Sequence, residues 1–134
     1  MLLYISAFAK TQKISFNLDS FNNAHVANVQ CYAGNEINFE QQSFQQVSEI
    51  ELLNFTSGGT ISLKIDSFIE STVDEVILNS VQDINIEQQA MQKVKNFKKL
   101  TIKTEGNFNA KIDSFISSMI QQFYVECNGT AIFN

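Results

Sequence analysis

The sequence predicts an α/β repeat solenoid, a parallel β-sheet of stacked coils joined by short helical turns, with an all-β parallel β-helix as the alternative. Three observations carry this. KIDSFI stands at 64–69 and again at 111–116, and NLDSFN, a near copy, at 17–22. Setting Phe21, Phe44, Phe68, Met91 and Phe115 in register gives spacings of 23, 24, 23 and 24 residues, and a fixed period of that size marks a stacked repeat. All five glycines, Gly34, Gly58, Gly59, Gly106 and Gly129, fall between one unit and the next, where glycine permits tight backbone turns.

Each unit opens on an extended segment. Seven residues before the anchors stand Ile14, Ile37, Ile61, Ile84 and Phe108, and five before them Phe16, Phe39, Leu63, Ile86 and Ala110. Such period-two pairs define a short strand with one buried face. After the anchor, segments such as SFIESTVDEV and AMQKVKNFKKL space their apolar residues three to five apart, which predicts one or two helical turns. A second strand follows, patterned V-x-x-V-x-L. It reads as Val26, Val29, Cys31; Val47, Ile50, Leu52; Val73, Val76, Leu78; Phe97, Leu100, Ile102; and Ile120, Phe123, Val125. The chain is then one solenoid domain, 1–134, of about five units near 13–34, 35–58, 59–81, 82–105 and 106–129, with partial units at both ends. MLLYISAFA aligns with a strand rather than a leader, lacking a basic n-region, and TAIFN opens a sixth unit. Neither end carries a polar cap, so the chain is either a segment of a longer solenoid or associates with other chains through its ends.

Alternate units resemble each other more than neighbours do. Units one, three and five carry DSF, whereas two and four carry EQQ followed by Ser43 or Ala90, so the true period is a 47-residue pair.

The stretch from Val73 to Met91, with Val73, Val76, Leu78, Ile84 and Ile86 in place, resembles a leucine-rich repeat, and the resemblance extends over nearly the whole chain in degenerate units of 23–24 residues. It departs from that family where Phe55, Val81 and Cys127 stand at or near the turn asparagine, where I-x-I replaces I-x-x-I, and in its scarcity of leucine. The resemblance implies a non-enzymatic protein-binding module, part of a longer protein, that uses the outward residues of its parallel strands.

Composition narrows the classes of function. A chain of 134 residues with 44% apolar content can bury a core. A net charge of -5, with lysine as the only strong base, disfavours nucleic acid, since arginine supplies the bidentate contacts to guanine and phosphate. No apolar run is long enough to span a bilayer, so membrane insertion is not expected. The sequons at Asn54 and Asn128 lean weakly to a secreted or cell-surface protein.

Catalytic chemistry finds little support, and no catalytic, cofactor or metal residues are assigned. Asp19, Asp66 and Asp113 sit two coils apart, about 10 Å at a coil spacing of roughly 4.8 Å, too far to share one ion. They read instead as caps of the helical turns, together with Ser20, Ser67 and Ser114. His25, the sole histidine, has no nucleophile motif around it. Cys31 and Cys127 lie four units apart, about 19 Å by the same spacing, which excludes a disulfide between them.

The candidate surface is the outward row of the long strands: Gln30, Tyr32, Glu51, Leu53, Ile77, Asn79, Thr101, Lys103, Tyr124 and Glu126, flanked by Lys98 and Lys99. Tyrosines among polar groups are typical of contact surfaces. The lysines at 93, 95, 98, 99 and 103 form either a docking patch for an acidic partner or pairs with Asp74 and Glu75 on the preceding strand, the second being favoured. A protein partner is expected, and the alternative is a structural, self-assembling extracellular or cell-surface scaffold.

Overall fold

The computed structural model describes residues 3–10, 12–17, 21, 26–111 and 113–134. They form a parallel β-solenoid of about five turns. Long strands alternate with short ones. The long strands are β1 (Leu3–Ala9), β3 (Val26–Ala33), β5 (Ile50–Ser57), β7 (Val73–Ser80), β9 (Lys99–Thr104) and β11 (Gln122–Cys127). The short strands are β2 (Lys13–Phe16), β4 (Glu36–Phe39), β6 (Thr60–Leu63), β8 (Ile84–Ile86), β10 (Phe108–Ala110) and β12 (Ala131–Phe133). The odd-numbered strands make one six-stranded sheet and the even-numbered a second, each in chain order, and every pairing is parallel.

Among the described residues there is no helix, so the expected helical turns are corrected and the all-β alternative fits. The reason lies in where the backbone bonds go. At 41–46, 65–70, 88–93 and 113–117 the chain makes consecutive turns. Ser43, Ser67, Ala90 and Ser114 each donate a backbone N–H to the carbonyl three residues back. Left-handed residues then break the spiral: Gln42, Asp66 and Gln89 at one position, and Gln46, Glu70, Lys93 and Ser117 four residues on, all with φ between 54° and 60°. The freed N–H groups cross to the next coil, as in Phe44 to the Ser67 carbonyl at 2.7 Å, Phe68 to Ala90 at 2.9 Å and Met91 to Ser114 at 2.8 Å. The third side of the coil is therefore laddered like a sheet, and an α-helix would forfeit these bonds. Asp66 and Ser67 consequently cap nothing; Ser67 is buried and its hydroxyl donates to the Ala90 carbonyl at 3.4 Å.

The core is a bundle of columns running through the stack. Val29, Leu53, Val76 and Leu100 align, as do Cys31, Phe55, Leu78 and Ile102, and on the short strands Ile37, Ile61, Ile84 and Phe108. All of these are buried. Phe16 and Phe39 stack at 5.0 Å, Phe44 and Phe68 at 4.9 Å, and Phe55 meets Phe39 edge-on at 4.7 Å. Aromatic pairs at such separations add about 0.5–1.5 kcal/mol each beyond their burial.

Unit two corrects the expected register. Val47 and Ile50 are buried as expected, but Leu53 and Phe55 then fill the core columns and Leu52 faces outward. From Phe44 to Ile50 is six residues, where Phe68 to Val73 is five. Glu49, at φ 61°, takes up the extra residue, and Asn96, at φ 57°, does the same in unit four. Since facing alternates along a strand, a shift by an odd number of residues exchanges the two faces.

The extra residue also explains the 47-residue period. In unit two the Val47 N–H is bonded at 3.2 Å by the hydroxyl of Ser71, which itself donates to the Phe44 carbonyl. Unit four repeats this with Ser118: Val94 N–H to its Oγ is 2.8 Å, and Oγ to the Met91 carbonyl is 2.5 Å. Every second coil thus carries a serine that bridges a carbonyl and an N–H of the coil before it, just ahead of that coil's extra residue.

At the junctions, none of the described glycines has a positive φ. Gly59 is needed for another reason: a Cβ there would overlap the Asn35 carbonyl of the preceding coil. Glycine serves close coil stacking rather than a special backbone angle.

Candidate functional site

The outward face of the long-strand sheet is built by alternation. With one set of side chains buried, the other set stands out in three columns. The register aligns Asn28, Leu52, Glu75, Lys99 and Gln122; then Ser6, Gln30, Asn54, Ile77, Thr101 and Tyr124; then Phe8, Tyr32, Thr56, Asn79, Lys103 and Glu126.

Most of the expected face residues are brought together here: Gln30, Tyr32, Ile77, Asn79, Lys99, Lys103, Tyr124 and Glu126 share these columns, with Thr101 among them but buried. Leu53 is not on the face. It is fully buried between Val29 and Val76, and Leu52, Asn54 and Thr56 face outward in its place, for the register reason given above. Glu51 is exposed at the start of β5, outside the three columns. Lys98 precedes β9, where its Nζ pairs with Asp74 Oδ2 at 3.2 Å, and Lys93 lies 3.8 Å from Glu70. Of the pairs expected for the lysine cluster, Lys98 with Asp74 is formed, while Lys93 pairs with Glu70 rather than with Asp74 or Glu75. Asp19, Ser20 and His25 lie outside the described residues.

Charge divides the face. In β7, β9 and β11 it carries Glu75, Lys99, Lys103 and Glu126. There a depression of about 490 Å³ is lined by Lys99, Thr101, Lys103, Gln122, Phe123 and Tyr124. The Tyr124 hydroxyl donates to Glu126 Oε2 at 3.0 Å, and this bond to a carboxylate raises its pKa. In β1, β3 and β5 the columns are uncharged. Phe8 and Tyr32 stack there at 5.0 Å and 17°, beside a groove of about 340 Å³ lined also by Ser6, Gln30, Asn54 and Thr56. Phe8, Ser6, Asn54 and Thr56 escaped sequence reasoning. The alternation in LYISAFA signals the first two, while the insertion at Glu49 hid the others.

Both cysteines are free thiols. Burial pushes the Cys31 thiol up to about 11, against a smaller lowering by a bond with the Ala7 backbone, so it is unreactive at neutral pH. Among the described residues no group of three or more His, Cys, Asp or Glu is arranged to hold a metal ion, and no helix is long and apolar enough to cross a membrane. No protein family, curated protein or solved structure matches this chain.

Proposed function

We propose that the chain is a non-enzymatic binding module whose protein partner docks on the charged half of the long-strand face, over β7, β9 and β11. One observation carries this: Tyr124, half-exposed, stands beside Lys103 and Glu126, with Lys99 and Thr101 on the adjoining strand. An aromatic with mixed-sign charges around it supplies an anchor and orienting pairs. The parallel strands hold these groups rigidly, so little ordering is lost on binding.

The test is capture by the immobilised chain, comparing wild type with Lys99→Glu/Lys103→Glu and with Tyr124→Ala, each checked for a native circular dichroism spectrum. Both variants are expected to lose the same captured protein. Capture unchanged in both removes this face from consideration.

A second proposal, end-to-end stacking into a scaffold, is favoured by the coil of β11 and β12. Its core-column residues Phe123 and Phe133 are 39% and 55% exposed, and Met119 is 87% exposed. Exposed apolar surface beside free strand edges invites association. Light scattering across a concentration series decides it, since a chain that stays monomeric throughout does not stack.

A further inference from the structure

We infer that the uncharged groove over β1, β3 and β5 is a binding site for a neutral saccharide chain. This site lies apart from the Tyr124 region and does not depend on a protein partner there. Two walls define it. On one side Phe8 and Tyr32 stack in one column, with Phe8 72% exposed. On the other stand Ser6, Gln30 and Asn54, with Thr56 closing the aromatic column and the backbone of Ala7 and Cys31 forming the floor.

The lining selects its ligand class by exclusion. No residue around the groove is charged, so neither an anion nor a cation finds a counter-ion, and desolvating one there is costly. A wholly apolar ligand is equally unsuited, because it would strip water from several polar side chains and offer them nothing in return. A sugar satisfies both walls. Its hydroxyls donate and accept, as the amides of Gln30 and Asn54 and the hydroxyls of Ser6, Thr56 and Tyr32 also do. Its C–H face lies against an aromatic ring, whose π-face is negative and attracts the polarised C–H groups.

The polar groups are also uncommitted. On the opposite sheet the amides of Asn109 and Asn85 bond each other at 2.9 Å along the stack. Gln30 and Asn54 occupy the corresponding relation on adjacent long strands, yet among the described residues neither side chain makes a hydrogen bond to protein, nor do those of Ser6 and Thr56. The groove runs along the stack, so its groups recur at the coil spacing of roughly 4.8 Å, which suits a polymer of repeating units. Its volume, about 340 Å³, lies at the small end of the range for ligand sites, roughly 300–1,000 Å³, as befits a short stretch of a longer glycan.

The experiment is a titration of the ¹⁵N-labelled chain with short neutral oligosaccharides of glucose, mannose and N-acetylglucosamine, read as amide shift changes. At least one sugar is expected to move the amides of β1, β3 and β5, with affinity falling about two- to tenfold in Phe8→Ala, whose lost stacking is of that order. The Gln30→Ala/Asn54→Ala double variant is expected to weaken it similarly, and Tyr124→Ala to leave it unchanged. All altered side chains face outward, so the fold is retained; were Phe8→Ala to unfold, the amide double variant alone decides. Three results overturn the assignment: no shifts from any neutral sugar up to about 10 mM, beyond which binding is weaker than about -3 kcal/mol; shifts confined to β9 and β11; or equal affinity in the amide double variant.

Discussion

Replacing Ser71 by alanine removes one oxygen and breaks the arrangement that sets the 47-residue period. Ser71 is fully buried. Its hydroxyl accepts from the Val47 N–H at 3.2 Å and donates to the Phe44 carbonyl. No other bond reaches that N–H among the described residues, so the variant leaves a buried donor and a buried acceptor unmet. At about 1–3 kcal/mol for each orphaned group, softened by partial relaxation, the loss is about 2–4 kcal/mol. Unfolding entropy near 2.1 cal/mol/K per residue gives about 0.28 kcal/mol/K for this length, so the melting temperature should fall by about 7–14 °C. Ser67→Ala removes a single long bond of 3.4 Å and should cost no more than about 1 kcal/mol. The assay is thermal unfolding followed by circular dichroism and by calorimetry, whose agreement licenses a single transition. If Ser71→Ala melts no lower than Ser67→Ala, the serine does not satisfy the inserted coil, and the explanation of the alternating period fails.

The unit-two register and the buried thiol supply two further tests. Leu53→Ala opens a cavity in the central core column and should cost about 2–5 kcal/mol, whereas Leu52→Ala, on the outward face, should stay within about 1 kcal/mol; denaturant midpoints distinguish them, and the reverse order would restore the register expected from V-x-x-V-x-L. Cys31 has its thiol raised from 9.0 to about 11, so the folded state holds its proton more tightly than the unfolded state does. Its contribution is therefore fully present below pH 9 and lost as pH rises toward 11, by about 2–3 kcal/mol in all. Urea midpoints for wild type and Cys31→Ala, compared from pH 8 to 11, should show a steeper decline in the wild type.

The repeat was legible because its cause is simple: each coil must bury the same columns, and a column can be read as a spacing. Phe21, Phe44, Phe68, Met91 and Phe115 align for that reason, and the outward face followed from alternation wherever the strand start was correctly placed. The third side of the coil was not legible. Three-to-five spacing after the anchor fits a helical turn and a stacked double turn equally, because both return side chains to the core at those intervals. What separates them is the partner of each N–H, and nothing in SFIESTVDEV says that Phe68 donates to Ala90 in the next coil rather than along its own turn. The usual punctuation was missing too. The left-handed positions are held by Asp66, Glu70, Gln89 and Lys93 rather than by glycine, at a backbone strain that the inter-coil ladder offsets.

Leu53 shows how one such residue propagates into function. The insertion at Glu49 has no compositional mark, yet it moves the strand by one position relative to the anchor and so decides which of Leu52 and Leu53 meets solvent. With Leu53 outward, β5 would present Leu53 and Glu51, and the neighbouring strands would adjoin a greasy, acidic stripe. With Leu53 buried, β5 presents Asn54 and Thr56 beside Gln30 and Tyr32. That single displacement turns the first half of the face from a generic contact surface into an uncharged groove lined with free amides and hydroxyls. The chemistry of the groove is thus set by a left-handed glutamate at the corner just before β5, outside the strand itself, which is why reading strand residues alone could not find it.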